Sequence, residues 1–209
     1  MGSEMCIRDR SGLDFRNLRF WPGAVVPYII DSTITDAALV VEAVQEWDKN
    51  TPVTFVEAGV DDKNYLIFTS VEGCRSSLGM IGGRQFITLS DKCSYRAVLH
   101  EIGHTLGLIH EHNRNIRDKH VRVNLRNVLY EKEHNFQKYP PGHPVSDGYC
   151  YGSVMHYPEY AFAISRELKT IEVIGNQKIG QRTRLSSCDI SRVRKLYSPM
   201  ARASVGKNG

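Results

Sequence analysis

His100, Glu101, His104, Gly107 and His110 stand in one run, His100-Glu101-Ile102-Gly103-His104-Thr105-Leu106-Gly107-Leu108-Ile109-His110. On a helix, residues four apart share a face, so His100 and His104 can aim two imidazoles at one ion. Glu101 projects beside them, placed to hold a water at the metal without itself being a ligand. A third ligand six residues after His104 would be carried away by a continuing helix. Glycine at position 107 can take the left-handed conformation that ends the helix and swings His110 back. Three nitrogens with an open position suit a catalytic zinc ion, whereas structural zinc is closed by a fourth protein ligand. Two histidines and a glutamate can also be ordinary residues of a helix. The glycine and third histidine at fixed spacing weigh heavily against that bland reading.

The elements that must carry this run follow from pattern. Ser94 can cap a helix to about Leu106, with Gly107 as its stop. Upstream, Ala24 to Ile30 is apolar and β-rich and ends at the turn signal Asp31-Ser32. Thr35 can cap a helix through about Asn50, in which Ala37, Val40, Val41, Val44 and Trp47 form a core-facing stripe. Val53 to Val56, Tyr65 to Phe68 and Gln85 to Leu89 read as strands. Downstream, Pro140 to Pro144 is a loop and Cys188 to Tyr197 a final helix. Strands and helices crowd the first half and loops dominate the second, which fits two lobes around a cleft near residue 110.

The chain has 209 residues with 41% hydrophobic and 24% charged side chains, enough for one domain with a sizeable core. The net charge of +4 is modest, and acidic residues interleave with the basic ones of Arg114 to Arg126 and Arg182 to Lys195. With no aromatic-basic platform, nucleic acid is not an expected partner. Apolar runs are too short to cross a bilayer, so no membrane partner is expected either.

The opening stretch Met5 to Arg10 looks like a translated sequencing adapter. Residues 1–10 are therefore set aside as an artefact or disordered start, leaving 11–198 as the domain and 199–209 as a tail or cut linker. A leader and a propeptide are expected in the native precursor. Setting Cys6 aside leaves Cys74, Cys93, Cys150 and Cys188, for which three pairings are open. They suit an oxidising compartment and hence a secreted protein better than a metal-finger site. No Asn-X-Ser/Thr acceptor adds to that expectation. His112, His120, His134 and His143 have no ligand spacing and read as surface residues.

The zinc run resembles the metzincin peptidases, and Glu111 after the third histidine resembles the astacin branch. The match extends through Arg114, Arg117 and Asp118, although Ile116 stands where astacins usually have aspartate. Ser153-Val154-Met155-His156-Tyr157 looks like the astacin Met-turn. The resemblance covers roughly residues 18 to 198, including Trp21-Pro22 and the Gly73-Cys74 to Cys93 segment.

That resemblance implies an α+β, two-lobed metzincin-type catalytic domain. It implies one catalytic Zn2+ on His100, His104 and His110, with Glu101 as general base. Met155 would form an apolar base beneath the ion. Tyr157 would be a further ligand at rest that swings away to stabilise the tetrahedral intermediate. The substrates would be proteins or peptides, bound extended along a sheet edge near Cys74 to Leu78 by a monomeric enzyme. In astacins the residue at Glu111 contacts the amino terminus freed by propeptide removal.

Two departures from the family carry information. The usual bridge partners are missing together, at Thr51-Pro52-Val53 and at Leu196-Tyr197-Ser198, while Cys150 replaces an aspartate and Cys188 lies in the final helix. The resemblance therefore implies Cys74–Cys93 plus a non-standard Cys150–Cys188 bridge. A zinc-binding module without peptidase activity is the alternative reading. Intact Glu101, His110 and Tyr157 weigh against it.

Overall fold

A computed structural model describes residues 5–7, 14–145, 148–181 and 183–205, with side chains described for 14–198 of these. A six-stranded sheet of order β1-β5-β6-β4-β2-β3 dominates the first half. Its strands are β1 (Met5–Ile7), β2 (Val25–Ile30), β3 (Thr54–Glu57), β4 (Tyr65–Thr69), β5 (Cys74–Ser76) and β6 (Arg84–Leu89). β3, β2, β4 and β6 run parallel, while β5 pairs antiparallel to β6. On its other edge β5 receives Met5–Ile7 in parallel, inside the stretch set aside as an artefact.

Alternation along the strands sends Val26, Phe55, Leu66, Phe68, Ile87 and Leu89 into the core. Helix α1 (Ala37–Asn50) covers that face with Val40, Ala43, Val44 and Trp47. Val41 is half-buried and Ala37 exposed, because the apolar face is set by contact with the sheet and the first turn projects past it. The cap is Asp36, whose carboxylate accepts from the Leu39 amide at 3.1 Å, and not Thr35. The Thr35 hydroxyl instead donates to Asp91 at 3.3 Å. Trp47 is fully buried and its indole N–H donates to the Leu99 carbonyl at 3.1 Å, tying α1 to helix α2 (Tyr95–Thr105).

Beyond α2 the chain is loops and short 3-10 turns, with a two-stranded pair β7 (Val121–Val123) and β8 (Ile171–Val173). Helix α3 runs from Ser187 to Val205, so the expected tail continues the helix through residues 199–205. Ser186 and Asp189 form a reciprocal cap at its start. The Ser186 amide donates to Asp189 Oδ2 at 2.9 Å, and the Asp189 amide donates to Ser186 Oγ at 3.2 Å.

Both expected bridges form. Cys74–Cys93 joins β5 to the approach of α2, and Cys150–Cys188 joins the loop before the Met-turn to α3. Closing loops of sequence separation 19 and 38 removes unfolded-state entropy worth about 3 and about 4 kcal/mol. Among the described residues, no helix is long and apolar enough to cross a membrane.

Candidate active site

Helix α2 ends as the glycine spacing requires. Gly107 has φ of 97°, its amide donates to the His104 carbonyl at 2.8 Å, and the Leu108 amide reaches the Gly103 carbonyl at 2.9 Å. These two bonds make a Schellman motif, the glycine-dependent helix stop. A Cβ at position 107 would stand 2.7 Å from Phe20 Cε1, so packing as well as backbone angle demands glycine. The reversal brings His110 back over the helix, and His100, His104 and His110 are all fully buried.

The three Nε2 atoms converge, His110 lying 3.0 Å from His100 and 3.1 Å from His104. His100 Nδ1 donates to the Val154 carbonyl at 2.9 Å, and His104 Nδ1 to the Leu108 carbonyl at 2.8 Å. A carbonyl can only accept, so Nδ1 carries a proton in both rings. Their Nε2 atoms then both face His110 Nε2. Such a donor set fits a cation bound from one side by three imidazoles. His100, His104 and His110 are also the one group of ligand atoms, among the described residues, close enough to share an ion.

Glu101 follows His100 on α2 and is fully buried. Ser76 Oγ of β5 lies 2.7 Å from Glu101 Oε2 and 2.9 Å from the Glu101 carbonyl oxygen. The Met-turn passes beneath α2, and a Cβ on Gly103 would meet Met155 Sδ at 2.8 Å. Only a residue without a side chain lets the methionine come this close. Tyr157 is fully buried, its ring 4.8 Å from that of His110 and stacked on His112 at 3.9 Å.

Helix α3 holds this turn in place. The Asp189 carboxylate is fully buried, accepts from the Val154 amide at 3.0 Å and takes the Ser153 hydroxyl. Glu111, also fully buried, accepts from the Cys150 amide at 2.8 Å and from Arg192 and Arg114. Its carboxylate is therefore held by α3 and the loop before the Met-turn. Burial on all sides distinguishes it from a solvated helix-end carboxylate.

The sequence reading of the spare histidines needs correction. His112 is fully buried because its ring packs flat on Tyr157. His143 is 9% exposed, with its Nδ1 accepting from the Val145 amide and its Nε2 donating to the Gly107 carbonyl at 2.9 Å. Burial holds its pKa below the ordinary histidine value of 6.5, helped by the nearby Arg114 and Arg192 charges. His134 is exposed and His120 half-buried, stacked on Tyr149 at 4.5 Å. Ser76, Asp189 and Arg192 escaped the sequence reading. The Ser186-x-x-Asp189 capping pattern was a readable signal for the second, and Arg192 lies one helical turn beyond Cys188.

The sequence pattern of the astacin peptidase family matches residues 14–198. Tolloid-like protein 1 of Homo sapiens is 40% identical over a 194-residue alignment that covers 87% of this chain and 19% of that protein. Bone morphogenetic protein 1 of Xenopus laevis is 40% identical over a 191-residue alignment that covers 86% of this chain and 27% of that protein. The chain thus spans only a fraction of these relatives. High choriolytic enzyme 1, a hatching enzyme zinc-protease from Oryzias latipes, superposes with a TM-score of 0.79 at 33% identity. That match covers 83% of this chain and 89% of the other. Myroilysin shares the fold, with a TM-score of 0.64 at 23% identity. The zinc run, the Met-turn and a match across residues 14–198 together establish that this chain belongs to the astacin family of peptidases.

Proposed function

We propose that the chain is a secreted zinc endopeptidase domain that hydrolyses internal bonds of extended protein or peptide substrates. The observation that carries this reading is the convergence of three buried Nε2 atoms, two of them from the helix that also presents Glu101. Zinc held by His100, His104 and His110 would supply a water of lowered pKa and a polarised scissile carbonyl. Glu101 takes the proton of the attacking water on its carboxylate and delivers it to the departing amine nitrogen. Tyr157 would be a further residue holding the ion at rest, and its hydroxyl would donate to the developing oxyanion. Its ring contact with His110 supports that role.

The substrate lies along the edge of β5, where main-chain hydrogen bonds supply affinity. Met5–Ile7 pairing with Cys74–Ser76 supports a strand-accepting edge at that place. Two disulfides among the described residues support an extracellular setting. On the same reading the enzyme is monomeric and is released from a propeptide.

Metal removal and return test this reading. Chain stripped by a chelator should lose peptide cleavage and regain it in proportion to added zinc, saturating at one ion per chain. Cleavage at the untreated rate by fully stripped, folded chain would overturn it.

A further inference from the structure

The Ser76 hydroxyl has a single proton and sits within hydrogen-bonding distance of two oxygens of one residue. It lies 2.7 Å from Glu101 Oε2 and 2.9 Å from the Glu101 backbone carbonyl. Ser76 is 4% exposed and Glu101 is fully buried, so water does not compete freely for this contact. An ionised carboxylate only accepts, which makes Ser76 the donor. A hydroxyl donating to a carboxylate in a dry site is a strong hydrogen bond, and it is directional. The side chain of glutamate has three rotatable torsions. Fixing one carboxylate oxygen sets the direction in which the other faces.

We propose that Ser76 is a positioning residue for Glu101, holding the carboxylate at Oε2 so that Oε1 is aimed for proton transfer. The assignment rests on the reading of Glu101 as general base. Ser76 belongs to β5, the strand whose edge pairs with an extended segment, and alternation along Cys74, Arg75 and Ser76 turns Arg75 outward and Ser76 toward α2. One residue therefore links the strand that aligns the substrate to the group that moves the proton. Misplacing a catalytic group by a fraction of an ångström slows the chemical step while leaving binding of the substrate main chain intact. The effect belongs in kcat.

The test compares wild type with Ser76→Ala, each in native and Glu101→Asp backgrounds, on one peptide with full zinc occupancy. Aspartate is one methylene shorter, which withdraws the carboxylate from the reach of Ser76. Expected is a kcat lowered about 10-fold or more by Ser76→Ala, a part of what acid–base catalysis contributes. KM should stay within about twofold, since main-chain pairing is untouched. In the Glu101→Asp background Ser76→Ala should cost little more, because coupled residues are non-additive. A kcat for Ser76→Ala within twofold of wild type, or an equal loss in both backgrounds, overturns the assignment while leaving the peptidase reading standing. A zinc-loaded wild type that cuts nothing overturns both together.

Discussion

His100 donates from Nδ1 to the carbonyl of Val154 at 2.9 Å, so a candidate metal ligand on α2 is itself held by the Met-turn. The turn in turn is held by Asp189 of α3 through Ser153 and the Val154 amide. Ligand direction thus depends on a residue 89 positions away in sequence.

A Cβ added at Gly103 would stand 2.8 Å from Met155 Sδ. Gly103→Ala should therefore push the methionine or the helix, at a cost of about 1–3 kcal/mol for overpacking. Helix propensity alone would favour alanine. A thermal melt of zinc-loaded Gly103→Ala checks this; a melt at or above wild type would show that the turn yields freely.

Arg192 and Glu111 are 7% and 0% exposed, a buried ion pair that joins α3 to the residue after His110. Breaking it by Arg192→Met leaves the buried carboxylate with Arg114 as its remaining cation, at 3.4 Å, expected to cost about 3 kcal/mol, the low end for a broken buried pair. Removing Arg114 as well should cost more than the two single losses together, because the carboxylate then keeps neither cation. Denaturant midpoints of Arg192→Met, Arg114→Met and the double variant decide it. A strictly additive double variant would mean that charge pairing is not what Arg192 contributes.

The pKa of His143 is depressed by burial, with its imidazole held neutral between Val145 and Gly107. The unfolded chain then binds a proton that the folded chain refuses, so stability is fully present above the ordinary value of 6.5 and falls as pH drops through the lower folded value. Melts of wild type and His143→Gln measured side by side should converge as pH falls through that window, because only the wild type loses this contribution. Parallel curves across the window would contradict the buried neutral assignment.

Much of this centre was legible in advance because it is local. The His100/His104 spacing, the Gly107 stop and the return of His110 follow from helix geometry within eleven residues. The strands at Tyr65 and Gln85 were legible from β-rich runs, and both extend by only one residue in the structure, to Thr69 and from Arg84. What stayed hidden is tertiary. β5 is only three residues long, too short for a period to show, and it carries Ser76. His112 and His143 read as surface residues since nothing near them in sequence says that Tyr157 and Gly107 will cover them. The partnership of Arg192 with Glu111 joins residues 81 apart. Ala37 shows the opposite limit, an apolar residue in register with the stripe that the sheet does not reach.

The most direct measurement is cleavage of a diverse peptide mixture, read by mass spectrometry, by the chain and by its Glu101→Gln variant, both zinc-loaded and folded. The expected result is chelator-sensitive cutting at internal bonds by the first and none by the second. If both are silent, the site binds metal without hydrolysing peptides; if both cut alike, Glu101 is not the base.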